Sequence, residues 1–255
     1  MNKVAVIVLA AGLGTRMKSN KAKVLHQLGG QHMILYVIEA ASKVAGENVI
    51  VVVGHQAEKV KNVISAKYNV KYAMQTRQLG TGHAVLCAMD SIPETADDVI
   101  ILCGDVPLLS AKTINQLFEN HLETRRDISV LTVELDDPSG YGRIIIENDQ
   151  KITAIIEESD ASEKQKEIRL INSGIYCVNK KYLQNVITKI KTDNAQQEFY
   201  LTDIISIGHE ENRSIGSVIG KESQAVIGIN TLDDLKNAEN ILKNREIMKT
   251  SILLN

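Results

Sequence analysis

Short, unbroken apolar runs alternate with helical patterns through the first half of this chain. Val4–Leu9, Val49–Val53, Val70–Met74 and Val99–Cys103 read as strands. Between and after them, His32–Val44, Ala57–Ala66 and Gly82–Met89 read as helices, and Ser110 caps a further helix through Leu122. A run such as Val-Ile-Ile-Leu-Cys shows no polar alternation, so it suits a strand covered on both faces. Strands of that kind joined by helices build a parallel sheet with helices on both sides. The predicted class is therefore α/β, a doubly wound, mostly parallel mixed sheet.

The pattern changes after about residue 128. Ile128–Leu135, Gly142–Glu147, Lys151–Glu157 and Ile171–Val178 look like strands with fewer helices between them. The charged stretch 157–169 reads as a mobile surface loop, and Tyr182–Ile190 and the residues after Phe199 as helical. Ala225–Ile229 reads as a last buried strand. Thr231 then caps a helix with Asp233 and Asp234 in its first turn and Leu235, Ala238 and Leu242 on one face. No Pro/Gly/Ser-rich linker or internal repeat interrupts the 255 residues. One domain over 1–230 is expected, with halves at 1–127 and 128–230, the second smaller and richer in strands, followed by a C-terminal helix over 231–255.

Charge and composition exclude several classes. With 29 Lys+Arg against 31 Asp+Glu, the net charge is −2, which argues against a dedicated nucleic-acid binder. No apolar run reaches the roughly 18–20 residues that cross a bilayer, so no membrane partner is expected. Lys3 and the run after it imitate the start of a signal peptide. Gly12-Leu-Gly-Thr-Arg16 follows directly, however, and a buried strand ending in a tight loop explains the run better. Cys87, Cys103 and Cys177 are odd in number and widely spaced. They read as reduced core thiols of a cytoplasmic protein, not a disulfide frame or a zinc site.

The first loop carries the first chemical signal. Leu9-Ala10-Ala11-Gly12-Leu13-Gly14 follows a buried strand, and ligands of doubly wound sheets bind at the carboxyl ends of strands. Small residues let a backbone approach a ligand, and successive N–H groups can cradle a phosphate. A dinucleotide fingerprint would need glycine where Met17 stands, and no Walker A lysine follows. What remains is a glycine loop with Arg16 and Lys23, two cations suited to a triphosphate. The same residues also make a glycine turn with two solvated cations, and the loop alone does not choose between these.

Leu9-Ala-Ala-Gly-Leu-Gly-Thr-Arg-Met17, with Lys23-Val-Leu25 after it, resembles the opening motif of the sugar-phosphate nucleotidyltransferases. Later segments narrow the resemblance to the bacterial N-acetylglucosamine-1-phosphate uridylyltransferases. They are Gln75-Thr-Arg-Gln-Leu-Gly-Thr-Gly-His-Ala84, Leu102-Cys-Gly-Asp-Val-Pro107, Gly140-Tyr-Gly-Arg143, Asn194-Ala-Gln-Gln-Glu-Phe-Tyr-Leu-Thr-Asp203 and Gly228-Ile-Asn230. They occur in the family's order and at similar spacing over nearly the whole chain. The resemblance implies a Rossmann-like nucleotidyltransferase fold, nucleotide binding in the first half and acceptor binding in the second.

It further implies Mg²⁺ held by Asp105 and Asn230, and catalysis by Arg16 and Lys23. Leu9, Ala10, Ala11, Gly12, Gly14, Lys23, Gln75, Gly80 and Thr81 would bind the nucleotide, the last three reading uracil. Gly104, Gly142, Glu157 and Asn172 would contact the sugar. The implied reaction is UTP with N-acetylglucosamine 1-phosphate giving UDP-N-acetylglucosamine, a cell-wall precursor, and pyrophosphate. Blander readings stand beside these. Asp105 before Val-Pro is also a turn former, Asn230 a common cap, and Thr81 a candidate cap for the next helix. His83 reads as packing or support, and Tyr200, Thr202 and Asp203 as shaping the acceptor pocket.

Four positions depart from the family pattern: Ala22 for proline, Cys103 for tyrosine, Ser159 for lysine and Gln197 for glycine. Rivals are another sugar-1-phosphate nucleotidyltransferase, with glucose or a similar acceptor, and a nucleotide-binding module without turnover. Many relatives continue into a left-handed β-helix that acetylates glucosamine 1-phosphate. No hexapeptide repeat occurs here, so uridylyl transfer without acetyl transfer, and no use of acetyl-CoA, is expected.

Overall fold

A computed structural model describes residues 3–147, 151–220 and 223–253. Strand β1 (Val4–Ala10) opens the chain; β2 (Gln27–Leu28) and β3 (Gln31–His32) form a small hairpin ahead of α1 (Met33–Ala45). Strand β4 (Val49–Val53), α2 (Ala57–Ser65), β5 (Lys71–Met74), α3 (Thr81–Ala88), β6 (Asp98–Cys103) and α4 (Ala111–Thr124) complete the alternating half. The second half holds β7 (Ile128–Glu134), β8 (Arg143–Ile146), β9 (Ile152–Ile156), α5 (Glu163–Lys166), β10 (Leu170–Asn179), α6 (Lys180–Val186), α7 (Asp203–Glu210), β11 (Ile215–Ile219) and α8 (Leu232–Leu253).

Among the described residues, nine strands form one mixed sheet, ordered β11-β7-β10-β6-β1-β4-β5, with the β8–β9 hairpin joined to β10. All the paired neighbours along that path are parallel except β10, which runs antiparallel to both β6 and β7. The predicted fold class is therefore the observed one. Alternate residues of β1 face opposite sides, as a pleated strand requires. Val4, Val6 and Val8 belong to the core that also takes residues of α1, α2 and α4, whereas Ala5 and Ile7 belong to the core that takes residues of α3, α6 and α7.

The connections from β1 run outward through β4 and β5, then return to β6 on the other side of β1. The crevice between the carboxyl ends of β1 and β6 is thus a topological switch point, where such sheets bind ligands. Leu9 pairs with Cys103 at this edge. Strand β10 brings the second half against it, and its ladder with β7 shifts register between Asn172 and Ile175.

Several local expectations needed correction. Ala225–Ile229 is not a strand. A 3-10 turn at Ser223–Ala225 leads into an irregular segment, although Val226 and Ile229 are buried. Apolar side chains here cover the core without joining a ladder, so hydrophobicity alone misled. The 157–169 stretch contains α5, opened by a capping box in which Ser162 and Gln165 satisfy each other's backbone N–H. Strand β11 and the β2–β3 hairpin had no clear pattern in the sequence. The C-terminal helix packs Ala238, Leu235 and Leu242 against Leu28, Met33 and Leu108.

Candidate active site

The loop after β1 closes on itself through Gly14. Its φ is +66°, and a Cβ there would lie 2.5 Å from the Cβ of Lys23, so only glycine allows the approach. Ala22 stands where the related family has proline, and the structure shows what holds the path instead. The Gln56 side chain accepts from Ala22 N at 3.3 Å and donates to Asn20 O.

Three distant segments converge beyond this loop. Lys23 Nζ forms an ion pair with Asp105, with side chains only 16% and 17% exposed. The same ammonium donates to Asn230 Oδ1 at 2.8 Å, and Arg16 donates to that oxygen at 2.8 Å. Asn230 cannot easily turn away, because its Nδ2 donates to Gly228 O at 3.0 Å. Its backbone N–H and that of Thr231 both donate to Asp234 at 2.8 Å, while Asp234 N donates to Thr231 Oγ1. Ile229 N donates to Asp105 O at 2.8 Å, tying the segment to the end of β6. The Asp105 and Asn230 oxygens therefore face one point at which a positive charge is already held. A carboxylate and a carboxamide oxygen suit a hard dication such as Mg²⁺, which takes few protein ligands. Among the described residues no cluster of three or more His, Cys, Asp or Glu forms a metal site.

A cavity of ≈ 520 Å³ opens on one side of this cluster. Leu9, Ala10, Ala11, Gly12, Gly14, Lys23, Gln75, Gly80 and Thr81 all line it. Gly80 has φ +106°, and a Cβ would meet Phe199 O at 2.6 Å, because residues 79–82 are clamped to 199–201. Phe199 N donates to Leu79 O, Gly82 N to Phe199 O, and Leu201 N to Thr81 Oγ1 at 3.0 Å. Thr81 therefore does not cap α3, whose N-cap is Gly80. Gln78, Gln196 and Glu198, which the sequence did not single out, share the cavity wall.

A smaller cavity of ≈ 190 Å³ lies on the other side, lined by Gly142, Glu157 and Asn172 among others. Asn172 N donates to Gly142 O at 2.8 Å, and its Oδ1 accepts from Gly174 N at 2.9 Å, inside the β10 irregularity. Burial pushes the Glu157 carboxyl above its usual range, opposed by the Thr202 hydroxyl, which donates to it at 3.2 Å. Arg143, fully buried, ties this wall together. It pairs with Glu158 at 2.7 Å and donates to the backbone carbonyls of Tyr141 and Lys166. Tyr141, from the Gly140–Arg143 motif, and Tyr176, from no motif, also line the cavity. Thr202 lines it too, whereas Tyr200 and Asp203 do not. Ser159, in place of lysine, contacts the Tyr200 hydroxyl at 3.3 Å. Gly104 lines neither cavity. A Cβ on it would meet Leu9 O at 2.9 Å and Ile34 at 3.0 Å, so its small size serves packing.

Arg16, Asp105, Asn230, Leu9, Thr81 and Cys103 line both cavities. The two spaces meet at the charged cluster. Cys103 contributes a neutral wall there, since burial, with Asp105 adding to it, pushes its thiol up to about 12.

Residues 6–164 match the MobA-like NTP transferase domain model. The chain is 44% identical over 245 residues to the bifunctional protein GlmU of Caldanaerobacter subterraneus subsp. tengcongensis, covering 96% of this chain and 53% of that protein. It is 38% identical to the bifunctional protein GlmU of Desulfotalea psychrophila, covering 98% and 75%. The chain thus spans about half the length of the first of these relatives. Among solved structures it resembles a Bacillus anthracis protein described as a glucose-1-phosphate thymidylyltransferase, solved with a sucrose. The TM-score is 0.72 at 20% identity, covering 93% of this chain and 94% of that one. HddC from Yersinia pseudotuberculosis, complexed with GMP-PN, gives a TM-score of 0.69 at 21% identity, with 93% and 99% covered. These two likenesses concern the fold. The chain belongs to the MobA-like NTP transferase family and is a nucleotidyltransferase domain of the GlmU type.

Proposed function

We propose that this chain transfers a uridylyl group from UTP to N-acetylglucosamine 1-phosphate, releasing pyrophosphate. The observation that carries the proposal is the meeting of the two cavities at Arg16, Asp105 and Asn230. A nucleotide in the larger space and a sugar phosphate in the smaller one would bring their phosphates together there. The first half of the chain supplies most of the nucleotide wall, and the second half most of the acceptor wall.

The sugar phosphate is an anion at neutral pH and needs no general base. Catalysis then rests on positioning and on neutralising charge. Asp105 and Asn230 would hold Mg²⁺, and when bound the ion supplies charge that offsets repulsion between the two phosphates. Lys23, held by both Asp105 and Asn230, and Arg16, held by Asn230, would turn to the phosphates and to the departing pyrophosphate. Glu157 and Asn172 offer a carboxylate and a carboxamide to sugar hydroxyls and an amide. The free cysteines fit a reducing compartment, and we place the reaction in the cytoplasm.

Pyrophosphate release across the four NTPs, each with glucose, glucosamine and N-acetylglucosamine 1-phosphate, tests the proposal. Turnover restricted to UTP and the N-acetylated acceptor is expected. Preference for glucose 1-phosphate would move the chain to another acceptor class, and no turnover would leave a binding module.

A further inference from the structure

We infer that His83 sets which bases the larger cavity accepts, by fixing the orientation of the Gln75 carboxamide. The inference rests on the reading of that cavity as a nucleotide site. Gln75 is 3% exposed and lines the cavity, and His83 stands behind it, off the wall. The Gln75 Nε2 donates to Gly80 O at 3.0 Å and lies 3.0 Å from His83 Nδ1. A primary amide has two N–H donors and one carbonyl acceptor. Both donors are therefore taken by the protein. His83 Nδ1 must then be the bare acceptor nitrogen, which places the ring proton on Nε2, 3.8 Å from Cys87 Sγ. Among the described residues no donor pairs with Gln75 Oε1.

The consequence is chemical. A carboxamide can read either a donor or an acceptor on a base edge, depending on which way it is turned. Here the turned-out group is the oxygen alone. It can accept from the ring N–H of uracil, but it faces the bare ring nitrogen of cytosine, lone pair against lone pair. Turning Gln75 over would aim its oxygen at Gly80 O, a fixed acceptor, and would require His83 to move its proton from Nε2, which faces Cys87 Sγ, to Nδ1. Phe199 packs near the imidazole, with ring centroids 6.3 Å apart, and its backbone holds the Gly80–Gly82 turn. The ring, the amide and the turn thus act as one rigid reader. His83 is a positioning residue; it touches no substrate in this scheme.

The test compares kcat/KM for UTP and for CTP in the wild type, in His83→Leu with His83→Phe as a second apolar replacement, and in His83→Asn. Asparagine can place its side-chain oxygen near where Nδ1 stood. The wild type is expected to favour UTP strongly. The apolar variants should lower the UTP/CTP ratio about tenfold, mainly through a higher KM for UTP, the scale of one lost orienting hydrogen bond. His83→Asn should restore most of the ratio. An undiminished ratio in the apolar variants, or equal loss in His83→Asn, overturns the role of His83 while leaving the proposed function standing. A wild type that prefers CTP or ATP overturns the acceptor-only orientation. A wild type without uridylyl transfer overturns the proposed function itself and, with it, this role.

Discussion

The Lys23 ammonium lies 2.8 Å from the carboxamide oxygen of Asn230, across 207 positions of sequence, and touches Asp105 at the same time. One cation thus measures the convergence of two oxygens that a dication could share. Asp105→Asn keeps the shape of the side chain and removes its charge. It should lower Mg²⁺-dependent pyrophosphate release about a hundredfold or more, on the scale of several kcal/mol for metal-assisted charge stabilisation. Steady-state release at saturating Mg²⁺, beside an unchanged circular dichroism spectrum, checks this. Near-normal activity would remove Asp105 from the metal role.

Arg16 reaches the same Asn230 oxygen from the glycine loop. Its partner there is replaceable by a phosphate, so its contribution should grow in the transition state. Arg16→Ala should reduce kcat by about 10²–10³, the cost typical of one lost donor to developing charge. The KM for sugar phosphate should change by less than about threefold. A mutant defective only in KM would place Arg16 in uniform binding instead.

Gly142 borders the smaller cavity and has little spare room. An added Cβ would lie 3.0 Å from Ile155 and 3.3 Å from the Glu157 carboxylate. Gly142→Ala should therefore push Glu157 off its position and weaken the acceptor more than the nucleotide. We expect KM for N-acetylglucosamine 1-phosphate to rise about tenfold with KM for UTP little changed. Initial-rate kinetics with each substrate varied in turn check this, and a rise in KM for UTP instead would assign the smaller cavity to the nucleotide.

Asp203, at the start of α7, has its carboxyl raised from 3.8 to about 6, chiefly by burial and then by the nearby Asp160. The folded state holds this proton more tightly than the unfolded chain does. Its contribution to stability is therefore greatest below about pH 4 and declines as pH rises through about 6. Asp203→Asn should raise the Tm at pH 7.5 and leave it nearly unchanged at pH 4. Thermal melts at both values decide it, and an equal gain at the two would mean that charge burial is not the cause.

Much of the alternating half was legible because its signals are local. Strands β1, β4 and β6 are continuous apolar runs buried on both faces, and glycine loops and acidic residues sit at their carboxyl ends. Edge strand β11 was not, since its residues are only partly buried and carry no strong period. The 225–229 segment failed for the opposite reason: buried apolar side chains occur there without a strand. Gly104 belongs to the same motif as Asp105, yet it packs under β1 and lines neither cavity. Motif membership does not say which neighbours read a ligand.

Taken by itself, the sequence determined the class of fold, because burial on two faces is written as uninterrupted hydrophobicity. It also determined a set of motif residues, because family motifs are contiguous. Only the tertiary structure decided that Gln75 meets His83, that Gln56 braces the path into Lys23, and that Arg143 ties Glu158 to the Tyr141 and Lys166 carbonyls beside the smaller cavity. The physical reason is range. Hydrophobic periodicity needs a few neighbouring residues, whereas a hydrogen bond needs two atoms within about 3 Å wherever the chain places them.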